Sequence, residues 1–293
     1  MLNGWICLDK PSGISSNFAM LKVRRLLKEK TGYIGTLDPF ATGVLPIAVG
    51  KARKFIQFAE EKEKRYDFIA SFGCATDTID LTGKVVAETE VIPTEDQIRN
   101  CLQNFIGEIE QVPPLFSAIK INGRRACDLV RQNKEVTIPS RKVQIFDLKF
   151  NWMKGNLAAF SVCCSKGTYV RTLAADIAEF LGSLCHVSEL RRTCSGFFSL
   201  KSAITLEKLS EIVDTAELGN ALIPLESPLD DIPALHLGID HCTKLQNGLT
   251  VSLSDLQVRS TNVRLFDDEQ HKFKGVCHVS ANGEITAVKM CIN

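Results

Sequence analysis

The sequence predicts an α+β protein: a large unit mixing strands and helices, followed by a small β-rich unit. Three stretches carry that prediction. Residues 65–73, RYDFIASFG, alternate as a strand, with Tyr66, Phe68 and Ala70 on one face and Asp67, Ile69 and Ser71 on the other. In residues 157–182, LAAFSVCCSKGTYVRTLAADIAEFLG, the period switches. Phe160, Val162 and Cys164 alternate, and after a Lys166-Gly167 turn Leu173, Ile177 and Leu181 recur at helical spacing. From residue 232 onward come short β-like runs with two Asn-Gly turns, Asn247-Gly248 and Asn282-Gly283, the second lying between VCHVS and EITAVKM.

Composition narrows the class. A chain of 293 residues can bury a substantial core and hold one large and one small domain. Its net charge of +1 does not point to a nucleic-acid partner, so any RNA-binding face requires basic residues sorted to one side. The 11 cysteines are scattered without a C-x-x-C spacing, which argues against a zinc site or a disulfide framework and for reduced, mainly buried thiols. Adjacent Cys163 and Cys164 point to opposite faces of a strand. The first residues, MLNGWICLDK, carry no basic segment leading into an apolar run, and no apolar run is long enough to span a membrane. A cytoplasmic protein is expected.

In chain order, Gly4 to Leu8 reads as a short strand ending in a Lys-Pro-Ser-Gly turn. Ser15 or Ser16 then caps a helix, NFAMLKVRRLLKEK, with Phe18, Leu21, Val23 and Leu26-Leu27 mostly on one side. Residues 32–50, GYIGTLDPFATGVLPIAVG, frame a lone carboxylate, Asp38, with Gly35, Pro39 and Gly43. Glycine permits positive φ and proline fixes φ, so the loop is tightly specified and its backbone is free to approach a ligand. The apolar run from Val44 to Val49 braces it as a short strand or helix. Asp-Pro by itself is an ordinary turn starter.

A helical pattern follows from residue 51, and a polar loop, TDTIDLTG, spans residues 76–83. IPTEDQIRNCLQNFIGEIEQ reads as one helix introduced by Pro93 and capped by Thr94. Residues 112–150 are the most basic part, with eight Lys and Arg against three Asp and Glu and a turn at Ile121-Asn122-Gly123-Arg124. That stretch reads equally as a loop-rich phosphate clamp or as a solvated hairpin and helix. Arg171 sits where a strand hands over to a helix. Proline-rich residues 224–231 read as a linker.

The text GTLDPFATGVLPIAVGKARKF resembles the signature of the TruB family of pseudouridine synthases, and DKPSGISS, KRY, GTYVRTL and VSELRRT resemble its other motifs in order. The resemblance implies a catalytic domain over 1–223, built on a mixed, largely antiparallel sheet flanked by helices, with a basic RNA-clamp insertion at about 112–150. It further implies a linker at 224–231 and a small β-barrel-like PUA module at 232–293. The implied reaction isomerises the T-loop uridine of tRNA to pseudouridine, with no cofactor and no metal. The implied partner is tRNA, through its T arm and acceptor end, acting on a monomer.

The resemblance makes Asp38 the catalytic carboxylate, Tyr66 the aromatic against the target base and Arg171 the partner of the aspartate. Leu190, Tyr33 and Lys10 are expected to meet the substrate, Leu190 as pocket wall and Lys10 as a support beside the loop. Asp80 is expected to orient the arginine, with Gly35 and Pro39 shaping the loop. Pairing with Arg171 is expected to favour the charged form of Asp38. Relatives read G-H-x-G before the aspartate, whereas this chain reads Gly32-Tyr33-Ile34-Gly35, which keeps an aromatic face but loses the imidazole. A guide-RNA-dependent synthase and a tRNA-folding chaperone are the competing readings.

Overall fold

The computed structural model describes residues 2–291 apart from 61–62, 118, 122, 127–128, 130–131, 133–135, 254–255, 257 and 259. In the larger unit the strands are β1 (Gly4–Lys10), β2 (Thr31–Tyr33), β3 (Thr42–Val49), β4 (Lys64–Phe72), β5 (Cys74–Thr76), β6 (Val85–Glu88) and β7 (Gly107–Gln111). They continue as β8 (Lys120–Ile121), β9 (Arg124–Arg125), β10 (Arg141–Lys154), β11 (Leu157–Cys164), β12 (Cys185–Ser195) and β13 (Phe198–Ser199). The main sheet runs β1-β3-β12-β4-β11-β10-β7, with β2 added to β3 and β13 to β12. Its one parallel pairing joins β3 to β12, so the sheet is mixed and largely antiparallel.

That parallel pairing is short and depends on a glycine. Arg192 lies opposite Gly43, whose φ is +99° and where a Cβ would fall 2.2 Å from the Arg192 carbonyl oxygen. A side chain there would push β3 off β12. The alternation read at β4 holds, with Tyr66, Phe68 and Ala70 buried. Phe68 stacks on Phe160 of β11 at 5.0 Å between centroids. The helix Ser16–Leu27 is capped by Ser15 and buries Ala19, Val23 and Leu27 against the core, while Phe18 lies exposed rather than on the packed face. The helix Val170–Phe180 follows β11 across the Lys166-Gly167 turn.

Three readings change. The stretch read as one helix up to Gln111 is helical only over Glu95–Cys101, under a Thr94–Gln97 capping box; a 3-10 turn follows, and Gly107–Gln111 is β7. Pairing with β10 decides this, because it recruits Ile109 and Gln111 into a sheet edge that local helical preference cannot see. The basic stretch divides. β8 and β9 pair across the turn at 121–124, of which Asn122 lies outside the described residues, while Arg141 onward forms β10 of the main sheet. Residues 141–150 of that stretch therefore belong to the main sheet. Asn247-Gly248 closes the helix Ile239–Gln246 instead of a hairpin, with Asn247 as its C-cap.

The second unit is a five-stranded sheet in the order β14-β16-β17-β18-β15, formed by β14 (Ala234–Leu237), β15 (Val251–Ser252), β16 (Thr261–Asp267), β17 (Phe273–Val279) and β18 (Glu284–Met290). Asn282-Gly283 turns β17 into β18. Residues 224–231, which lead into this unit, are packed. Leu225 and Leu229 join a core with Trp5, Phe55 and Val276, and Trp5 donates Nε1–H to the Leu225 carbonyl at 3.0 Å. Phe55 meets Phe273 edge-on at 5.3 Å. Among the described residues no helix is long and apolar enough to cross a membrane.

Candidate active site

Asp38 sits in the loop between β2 and β3, and the segment 10–16 grips that loop on both sides of it. Ser16 exchanges two hydrogen bonds with the Leu37 backbone, donating to the carbonyl at 2.9 Å and accepting from the N–H at 2.8 Å. Ser12 donates to the Phe40 carbonyl at 2.8 Å, and the Gly13 N–H donates to the Pro39 carbonyl at 2.9 Å. Lys10 is fully buried and donates to the carbonyls of Pro11 and Ile14 at 2.8 Å and of Pro39 at 3.2 Å. Lys10 was expected to meet the substrate, but with three carbonyls around its ammonium it supports the loop from beneath. Burial pulls it down to about 8, with Asp38 opposing and Arg192 adding to the fall.

Arg171, 2% exposed, enters from the first turn of the helix Val170–Phe180. Its Nη2 donates to Asp38 Oδ1 at 3.1 Å, and its Nε lies 2.9 Å from Oδ2 in an ion pair without hydrogen-bond geometry, a side-on fork that meets both oxygens. The remaining guanidinium donors reach the carbonyls of Thr78 at 2.7 Å and Phe116 at 3.1 Å. Behind it lies Asp80, 3.4 Å from Nη1 through Oδ2. Asp80 Oδ1 accepts from Thr78 Oγ1, the Thr82 N–H and Thr82 Oγ1 at 2.8, 2.9 and 2.6 Å. The loop is also tied to β12, since Val187 and Asp80 form a bridge. Ile79, a β-branched residue at φ +59°, is the strained point of that loop.

A cavity of about 290 Å³ opens over the pair, lined by Gly35, Asp38, Tyr66, Tyr169, Arg171 and Leu190 among others. Tyr66 and Leu190 are 8% and 7% exposed and form adjacent parts of its wall. Tyr169 was not singled out from the sequence. Its backbone is clasped by Gln111, which donates to its carbonyl at 3.2 Å and accepts from its N–H at 2.9 Å, and the Arg141 guanidinium lies 4.9 Å from its ring centre. Lys64 and Arg192, also on the wall, were missed as well. All three stand inside quoted motifs, Tyr169 in GTYVRTL, Lys64 in KRY and Arg192 in VSELRRT, which was a usable signal. Tyr33 lies on β2, half-buried against the core and away from the cavity lining, and Pro39 is exposed beside it.

Electrostatically, the site leaves Asp38 less stabilised as an anion than the fork alone suggests. Burial pushes its carboxyl above the ordinary value of 3.8, Asp80 adds to the rise, and Arg171 and Lys10 pull it back. The pull of Arg171 toward the charged form is present, as expected of the pairing, but desolvation outweighs it. Burial also raises the Tyr66 phenol, against the pull of Arg192. Among the described residues no three His, Cys, Asp or Glu side chains gather to hold a metal ion.

The arrangement is one oriented carboxylate, an aromatic and aliphatic wall, and a surplus of positive charge. The chain matches the family model for TruB family pseudouridylate synthase (N terminal domain) over residues 24–170, and that for tRNA pseudouridylate synthase B C-terminal domain over 171–230. Among curated proteins it is 44% identical to tRNA pseudouridine synthase B of Caulobacter vibrioides, covering 90% of this chain and 86% of that one. It is 37% identical to tRNA pseudouridine synthase B of Vibrio atlanticus, covering 99% of this chain and 95% of the relative. Among solved structures it resembles a chain of a Cbf5-Nop10-Gar1 complex, with a TM-score of 0.71 and 26% identity over 96% of this chain and 79% of that one.

Proposed function

The chain belongs to the TruB family of pseudouridylate synthases, and from that premise we propose that it isomerises the T-loop uridine of tRNA, with Asp38 as the catalytic carboxylate. The observation that carries the reading is the Asp38–Arg171 fork at the floor of a nucleoside-sized cavity. The reaction breaks the C1′–N1 bond, turns the uracil and forms C1′–C5; the C5 proton leaves and N1 gains one. Nothing is oxidised and no group is imported, so the residues required are a carboxylate, a fork to aim it and walls to hold the turning base.

The target is stacked within a folded loop and must be flipped out at a cost of a few kcal/mol. An aromatic wall such as Tyr66 contributes about 1–3 kcal/mol of stacking. The two roughly cancel, so contacts to the RNA backbone tip the balance. Arg171 positions Asp38, Asp80 holds Arg171 from behind, and Leu190 closes the wall. The basic hairpin at 120–125 and the five-stranded C-terminal unit extend the binding surface toward the T arm and the acceptor end.

The deciding experiment is pseudouridine formation on unmodified tRNA transcript by the purified protein, without guide RNA or added metal. Turnover under those conditions is expected. Activity appearing only with a guide RNA would instead support a ribonucleoprotein enzyme, and tight tRNA binding without product would support a folding chaperone.

A further inference from the structure

Two buried cations of the cavity are not used by the machinery described above. Lys64 on β4 is 8% exposed and Arg192 on β12 is fully buried, yet both line the cavity. Arg192 gives Nε–H to the Val44 carbonyl at 2.7 Å and an Nη2 proton to the Gly35 carbonyl at 2.8 Å; its buried Nη1 has no well-formed hydrogen bond, and the Tyr66 hydroxyl is the neutral group beside the guanidinium. Among the described residues no carboxylate pairs with either side chain. The two heads converge under Gly35, where a Cβ would lie 3.1 Å from Arg192 Nη1 and 3.2 Å from Lys64 Nζ. Among the described lining residues Asp38 is the sole carboxylate, facing Lys64, Arg141, Arg171 and Arg192, and Arg171 already engages it. Buried like charges without a counter-ion are costly unless a ligand supplies one.

We propose that Lys64, backed by Arg192, forms an anion subsite of the cavity that takes a phosphodiester oxygen of the nucleotide flipped in beside Asp38. The inference rests on the RNA-modifying reading given above. Uracil is neutral, so the anionic groups a nucleotide carries into the cavity are its phosphodiesters. Lys64 makes the contact, because its ammonium turns freely and its three donors are unspent. Arg192 is pinned by two carbonyls and acts as a positioning residue, holding the Gly35 turn and adding positive potential.

Burial pulls Lys64 down to about 8, and Arg192 on β12 pushes the same way; Glu60 and Cys164 oppose, and Lys166 adds to the fall. A bound phosphodiester restores the charged form, so RNA binding by the wild type weakens as pH rises through about 8.

The test is the equilibrium Kd of the intact protein for a T-arm stem-loop, with either a natural linkage or a neutral methylphosphonate on the 5′ or the 3′ side of the target uridine. This readout does not depend on turnover, so a failed isomerisation assay sinks the functional reading and leaves this one standing or falling on its own. For the wild type, one of the two methylphosphonates is expected to raise Kd about tenfold or more. Lys64→Gln raises it similarly on natural RNA, and that methylphosphonate then adds nothing further.

Lys64→Arg keeps the phosphate effect but loses its pH dependence near 8, any weakening left there being the same on natural and methylphosphonate RNA and belonging to Lys10. Arg192→Gln moves that midpoint upward, which loss of a merely structural support does not do. Additive losses in Lys64→Gln with both methylphosphonates overturn the proposal. So does a Lys64→Arg protein for which neither methylphosphonate raises Kd, a measurement that stands even if the glutamine variant fails to fold.

Discussion

Asp38 and Asp267 stand in the two units of the molecule, each in an ion pair with one basic side chain, and they are held in opposite ways. Asp267, at the end of β16, is fully buried; it accepts from the Gln270 backbone N–H and lies 3.1 Å from Lys274 Nζ. Burial raises its carboxyl, but the backbone N–H of Gln270 and the ammonium of Lys274 outweigh that, and the net shift is downward. Among the described residues Asp38 receives only the Arg171 fork, opens to a cavity and is shifted upward. Asp80 lies between them, saturated by its own loop and touching Arg171 with one oxygen. Asp267 is closed in by its own turn, with the Gln270 N–H on Oδ1 and the Lys274 ammonium beside Oδ2, whereas Asp38 opens to a cavity that a substrate can enter.

The comparison breaks most sharply at Asp38 itself. Asp38→Asn is expected to abolish isomerisation while leaving tRNA affinity within a few-fold, since it removes charge but little volume. A tritium-release assay on 5-tritiated tRNA measures this, and substantial turnover would falsify the assignment. Next comes the fork. Arg171→Lys should fold and lose most of its activity, because a lysine cannot aim a carboxylate from two sides. Arg171→Ala is a poorer probe, since stranding a buried charge costs about 3–5 kcal/mol and threatens the fold; wild-type turnover by a folded lysine variant would show that the fork is dispensable.

Asp80→Asn gives a smaller effect with a directional signature. The pH–rate profile of the wild type falls on acidification as Asp38 gains its proton, at a pH above that of an ordinary aspartate. Removing the negative charge of Asp80 takes away one cause of that rise, so the acid limb moves to lower pH while kcat falls modestly. An acid limb that stays put in the variant contradicts the coupling.

The smallest effect on activity belongs to Asp267→Asn. Its carboxyl is lowered on folding, so the stability it contributes is present above the unfolded-state value and is lost as pH falls through the folded one. At pH 7 the variant should melt earlier than wild type with unchanged turnover, and the gap in Tm should close on acidification. A catalytic loss without a Tm change would erase the contrast between the two carboxylates.

Much of the site was legible because it is written in short stretches. Asp38 stands in a Gly- and Pro-framed loop, and Arg171 follows a visible switch from strand to helical period. Lys10 was legible as a support beside that loop but its burial was not, because closing three carbonyls around it depends on where residues 11, 14 and 39 come to lie. Lys64 and Arg192 stand in the KRY and VSELRRT stretches, but nothing there told that they share a cavity. They are 128 positions apart and become one charged feature only when β4 pairs with β12 and Gly35 folds over both.

The amino-acid order alone determined what near neighbours decide: the alternation of β4, the helix after Lys166-Gly167, the Thr94 cap and the turn at Asn282-Gly283. Those depend on backbone preference and side-chain period within a few residues. Tertiary structure decided the rest. Gly107–Gln111 became a strand because β10 offered it an edge, and residues 224–231 became core because Trp5 and Phe55 lay open to them. The Asp38 carboxyl rose because folding removed its water faster than Arg171 could replace it. Each of those outcomes is set by partners distant in sequence, whose contact energy exceeds the local preference it overrides.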